Sequence, residues 1–282
     1  MQKSALMGAA FLAASSVIPQ ETEAKGRSRA NKSGHMNISG RRTLGSGSAA
    51  LTVSALGFGC MGMNYNRSVS PSRKECIKVI REAVERGVTL FDTAIIYGPL
   101  INEELVGEAL APYKGQVAVT TKFGHEVING KATGRQNSRP EIIRRYCEES
   151  LRRLRVDCLE MFYQHRLDRN VPIEEVAGTI GDLIKEGKIK RWGVCEVSAD
   201  TIRRAHAVTP LTAVQSEYHL MFRDVETNGV LDACRELGIG FVPYSPMNRG
   251  FLGGAINEYT RFDPNNDNRQ TAPVCLSFEF LQ

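Results

Sequence analysis

The stretch GVTLFDTAIIYGP, residues 87–99, sets the reading of the whole chain. Its glycine follows an amphipathic run, at the place where a helix end favours a left-handed residue. A short apolar segment comes next and closes on Asp92, and Tyr97 lies in the loop beyond. Helix end, turn, strand and a polar residue at the strand's C-terminus thus follow one another.

The same grammar recurs along the chain. Arg86-Gly87-Val88, Glu186-Gly187-Lys188 and Leu237-Gly238-Ile239 each put a glycine just before an expected strand. Strands are predicted at 55–61, 89–93, 117–122, 158–164, 191–195, 212–217 and 240–244. Helices are predicted near 72–86, 101–112, 139–155, 173–186, 199–207 and 226–237. In the fourth helix Ile173, Val176, Ile180, Leu183 and Ile184 fall on one stripe. Alternating β and α with continuous apolar strands implies a parallel sheet buried on both faces. A doubly wound sheet or a barrel satisfies this pattern. No glycine-rich phosphate loop follows the first strand, which argues against the dinucleotide-binding version of the former. Polar residues at several strand C-termini favour a TIM (β/α)8-type barrel, whose chemistry gathers at that end. Upstream, RRTLG and LTVSAL around Gly45-Ser46-Gly47 form an expected N-terminal β-hairpin.

The barrel is expected to be incomplete. About seven of eight strands are counted before the chain reaches TAPVCLSFEFLQ, residues 271–282, whose pattern suits neither the missing helices nor an eighth strand. That tail is read as the product of a frameshift or an early stop, and the first and seventh strands are expected to keep unpaired edges. At the other end, Lys3 precedes an apolar stretch from Ala5 to Ile18, with small residues and a polar run after it. This is the grammar of an export signal, too short for a stable membrane span. The expected organisation is a signal-like segment and polar linker over 1–40 and a barrel domain over 41–282. The protein is expected to be exported to a periplasm-like space if the segment acts as a signal, and to stay cytoplasmic otherwise.

Composition narrows the partners. The chain has 282 residues, 24% of them charged, with a formal net charge of +5. Lys and Arg are scattered over amphipathic helices rather than gathered in a stripe, so nucleic-acid binding is not expected. Seven Cys lack CxxC spacing and mostly sit in apolar runs, which suits buried reduced thiols. Five His are spread too widely for a zinc site. Nothing in the sequence sets an oligomeric state.

Four residues at or just beyond strand ends carry chemistry together: Asp92, Tyr97, Lys122 in VAVTTKFG and His165 in CLEMFYQHR. A phenol, ordinarily with a pKa near 10, can protonate a developing alkoxide when a cation lies beside it. Lys122 is the cation, Asp92 keeps it charged and in place, and His165 orients the carbonyl.

These segments resemble the aldo-keto reductase superfamily, in the family's order, over about residues 41–270. The resemblance implies reduction of small-molecule aldehydes and ketones with NADPH, Tyr97 being the general acid and Lys122, Asp92 and His165 its partners. It also implies cofactor contacts from Gln215 in AVQSEYHL and from YSPMNRGFLGG, where Tyr244 stacks on the nicotinamide and Ser245, Pro246 and Met247 cradle the pyrophosphate. On the fifth strand the family's usual Ser-Asn pair is replaced by Cys195-Glu196, and Cys is a poor hydrogen-bond donor. The family's final strand and its basic loop for the adenosine 2′-phosphate have no counterpart here. Alternatives are a non-catalytic NADPH-binding regulator on the same scaffold, or an inactive truncated product.

Overall fold

The structure is a computed structural model and describes residues 12–14, 40–67, 70–257 and 259–270. The signal-like segment and linker lie outside the described residues apart from Leu12–Ala14 and residue 40, and so does the tail from 271. A β-hairpin of β2 (Arg41–Leu44) and β3 (Leu51–Ser54) stands before the sheet, as expected, with a 3-10 turn over Gly47–Ala49.

Seven parallel strands then follow in spatial order: β4 (Leu56–Gly59), β5 (Leu90–Asp92), β6 (Ala118–Phe123), β9 (Met161–Gln164), β10 (Trp192–Cys195), β11 (Ala213–Glu217) and β12 (Gly240–Tyr244). Between them run α1 (Arg73–Glu85), α2 (Ile101–Leu110), α3 (Pro140–Leu154), α4 (Ile173–Lys185), α5 (Ala199–Val208) and α6 (Val230–Leu237). This is the expected α/β barrel architecture, curled and with seven parallel strands among the described residues. One expectation changes. The edge of β4 is not open, because Leu12–Ala14 (β1) pairs antiparallel with it and also touches β12.

Local signals explain the element ends. Ser72 caps α1 in a reciprocal capping box with Glu75. Pro140 opens α3, where its missing N–H costs nothing. Gly87, Gly187 and Gly238 all adopt the left-handed φ expected of them, at 94°, 73° and 63°. On α4, Ile173, Val176, Ile180 and Leu183 are buried, and Ile184 packs against the same core.

The segment 124–138, which no predicted element covers, holds a second hairpin, β7 (His125–Ile128) with β8 (Lys131–Gln136). Alternation is weak there and β8 is almost wholly exposed, so no apolar pattern announced it. Arg135, Thr133 and Asn137 all bond to the Glu126 carboxylate and fasten the two arms.

A buried ion pair sets α2 against the sheet. Glu103, fully buried, accepts from Thr121 Oγ1 at 2.6 Å and from Arg153 Nε at 2.6 Å. Helices α2 and α3 also meet so closely that a Cβ on Gly107 would lie 2.3 Å from the Arg153 carbonyl oxygen. Removing one member of a buried pair strands the other. Glu103→Ala is therefore expected to lower unfolding free energy by about 3 kcal/mol, measured by urea denaturation. A loss no larger than that of an exposed Glu104→Ala control would contradict this role.

Candidate active site

Asp92 is the last residue of β5, and Lys122 lies near the end of the adjacent β6. His165 directly follows β9. Parallel pairing therefore delivers all three to one end of the sheet. Tyr97 comes from the loop between β5 and α2. Thr93 N donates to the Thr120 carbonyl at 2.9 Å and Ile95 N to the Lys122 carbonyl at 3.3 Å, so this loop is stitched to the strand that carries Lys122.

Lys122 is fully buried, yet each of its three N–H donors has an acceptor. The ammonium pairs with the Asp92 carboxylate, donates to the Thr93 carbonyl at 2.8 Å and reaches the Tyr97 hydroxyl at 3.5 Å. Burial alone would depress its pKa, but Asp92 outweighs it and holds the amine well above its usual range. Asp92 is fixed in turn by Thr120 Oγ1 at 2.8 Å and Gln215 Nε2 at 3.2 Å. Tyr97 is buried too, and burial raises its pKa, with Lys122 opposing the rise.

The His165 ring meets the Tyr97 ring edge-on, centroids 5.7 Å apart. Burial, then Lys122, push the His165 pKa well below its usual value, so the imidazole is neutral at neutral pH. Its buried Nδ1 has no hydrogen-bond partner among the described residues. A second imidazole, His125 of β7, stands 4.8 Å from it, also edge-on.

The carboxylate, the phenol and both imidazoles line a cavity of about 310 Å³, within the range of roughly 300–1,000 Å³ typical of small-molecule sites. Asp92, Tyr97 and His165 are in its wall, with Gln215, Tyr244, Ser245 and Pro246. The other residues expected there sit differently. Met247 is 42% exposed and outside the cavity wall. Cys195 is buried, and burial pushes its thiol up to about 12. Its sulfur lies 4.0 Å from Gln215 Oε1, a weak contact. Glu196 turns into the left-handed region at φ 53° and accepts from the Glu217 backbone N–H at 2.7 Å.

Sequence reasoning missed three contributors. Asn102, fully buried in the first turn of α2, accepts from Thr93 Oγ1 at 2.5 Å. It also donates to the Cys60 carbonyl at 2.9 Å and to Asn64 Oδ1 at 2.7 Å, tying the loop after β4 to the loop that carries Tyr97. A polar residue on a helix face otherwise apolar was its only signal. Glu217 gathers the Tyr244 hydroxyl at 3.4 Å and Arg249 at 3.0 Å. Arg166, next to His165, also lines the cavity.

The turn after β12 bears on cofactor fit. Ser245, Asn248 and Arg249 take positive φ of 53°, 44° and 54°, and Gly250 follows at 102°. Non-glycine residues held left-handed cost about 1 kcal/mol or more each. Such turns can aim successive backbone N–H groups at an anion. An aromatic wall in Tyr244, an amide in Gln215 and this strained turn together fit a nicotinamide with its pyrophosphate.

The profile of the Aldo/keto reductase family matches residues 55–280. The chain is 46% identical over 209 residues to a probable aldo-keto reductase 1 from Glycine max, covering 74% of this chain. It spans about 60% of the length of that curated relative. Among solved structures it is similar to a glycerol dehydrogenase from Gluconobacter oxydans, at TM-score 0.73 and 29% identity, over 82% of this chain and 71% of the other. It is also similar to the holo form of an aldo-keto reductase from Bacillus halodurans, at TM-score 0.70 and 26% identity, over 82% and 74%.

Proposed function

The chain belongs to the aldo/keto reductase family, and from that premise we propose that it reduces small aldehydes and ketones to alcohols with NADPH. One observation carries the proposal: a wholly buried ammonium, Lys122, bracketed by a carboxylate and a phenol at the wall of a substrate-sized cavity.

When bound, the reduced nicotinamide supplies the hydride that the carbonyl carbon accepts. The protein's residues do the rest. Tyr97 holds its proton through the neutral range, because burial raises its pKa. It gives that proton to the carbonyl oxygen as negative charge develops there. Lys122, kept cationic by Asp92, stabilises the phenolate left behind. Neutral His165 offers a hydrogen bond to the same oxygen without competing as an acid, and so orients the carbonyl toward Tyr97. Tyr244, Gln215 and the turn at Ser245–Gly250 hold the cofactor.

The test is oxidation of NADPH, followed by absorbance, with 4-nitrobenzaldehyde as substrate. Saturable, protein-dependent oxidation with alcohol formed in equal amount is expected. NADPH binding without any turnover would favour the regulator instead.

A further inference from the structure

Three arginines line the cavity, and their surroundings differ. Arg249 is ion-paired with Glu217 at 3.0 Å. Arg67 donates to Asn268 Oδ1 at 2.6 Å. Arg166 donates through Nη1 to the His165 carbonyl at 2.7 Å, and among the described residues it pairs with no carboxylate. A guanidinium has five N–H donors in a planar fork, so most of that capacity remains. The same hydrogen bond anchors the side chain at the residue expected to orient the carbonyl.

His125 lines the same cavity, within electrostatic reach of this cation. Its ring centroid lies 4.8 Å from that of His165. Burial, then the charge of Arg166, bring its pKa down to about 4, so it is a neutral donor at neutral pH. The charge of Arg166 acts on His165 and Tyr244 as well, which places the guanidinium within electrostatic reach of both. Lys122 and Asp92, at the reacting centre, already neutralise each other.

We propose that Arg166, assisted by His125, is an anion subsite for the substrate, so that the favoured carbonyl compounds carry a carboxylate a short distance from the aldehyde or ketone. This rests on the reductase reading above and adds the class of substrate. A planar carboxylate matches the guanidinium fork, and such charge-assisted bonds are stronger than neutral ones. With its aldehyde at Tyr97 and His165, a substrate of this class would turn its acid group toward Arg166.

The experiment compares 4-carboxybenzaldehyde with its methyl ester, in the full chain and in Arg166→Gln and Arg166→Lys. Arg166→Gln is expected to lower kcat/KM for the acid by roughly 10-fold or more, mainly through KM, and to lower it for the ester by a clearly smaller factor. Arg166→Lys should recover part of the loss. Equal effects on acid and ester would overturn the proposal. A second readout separates it from the reductase reading: calorimetric titration with benzoate, which cannot be reduced. Benzoate affinity that falls in Arg166→Gln while NADPH affinity holds supports the subsite even if neither aldehyde turns over, in which case only the reductase reading fails. If Arg166→Gln weakens NADPH and leaves benzoate untouched, the guanidinium serves the cofactor and the proposal is wrong.

Discussion

Tyr97→Phe is expected to reduce carbonyl turnover by roughly 100-fold or more, with NADPH affinity largely kept. The hydroxyl is the group that meets Lys122 at 3.5 Å, and the phenyl ring would keep its packing against His165 and Tyr65. The proposed cofactor contacts lie on other strands, so binding should survive. The pH profile follows from the same group. In the proposed mechanism reduction uses the protonated phenol, and burial raises its pKa. The rate should therefore hold through the neutral range and fall as pH climbs through that raised value. Near-normal turnover by Tyr97→Phe would remove Tyr97 from the role of acid.

Asp92→Asn is expected to damage both activity and stability. Lys122 is fully buried, and among the described residues Asp92 is the one anionic partner of its ammonium. Without that partner the buried charge loses about 3–5 kcal/mol of compensation, and the amine neutralises instead. A neutral amine no longer stabilises a phenolate on Tyr97. Turnover should drop by roughly 100-fold or more, and the melting temperature should fall. The double variant Asp92→Asn, Lys122→Met removes both charges. It should regain much of the lost stability without regaining activity, because an apolar replacement of a buried pair is often tolerated. A double variant no more stable than Asp92→Asn would show that the pair does not act as a unit.

The barrel was legible because its signals are local. Strand runs such as 89–93 and the left-handed Gly87, Gly187 and Gly238 each act within a few residues. Asp92, Tyr97, Lys122 and His165 were legible for a topological reason. A parallel sheet carries every strand C-terminus to one end, so polar residues at those ends must converge. What escaped depends on contacts across the fold. Asn102 matters through Cys60, Asn64 and Thr93, which no periodicity connects to it. Glu217 ends a strand as Asp92 does, yet its meaning comes from Arg249 and Tyr244, which follow it by more than twenty residues. The hairpin of β7 and β8 is held by the polar network on Glu126 rather than by an apolar face, and it brings His125 over the cavity.

The central claim is hydride transfer from the cofactor to a carbonyl carbon at this site. The direct measurement is mass spectrometry of the alcohol made from 4-nitrobenzaldehyde with NADPH deuterated at both C4 positions. One deuterium on the carbinol carbon is expected in every product molecule, and almost no labelled product should form with Tyr97→Phe. Unlabelled alcohol, or label that appears equally with Tyr97→Phe, would contradict the account.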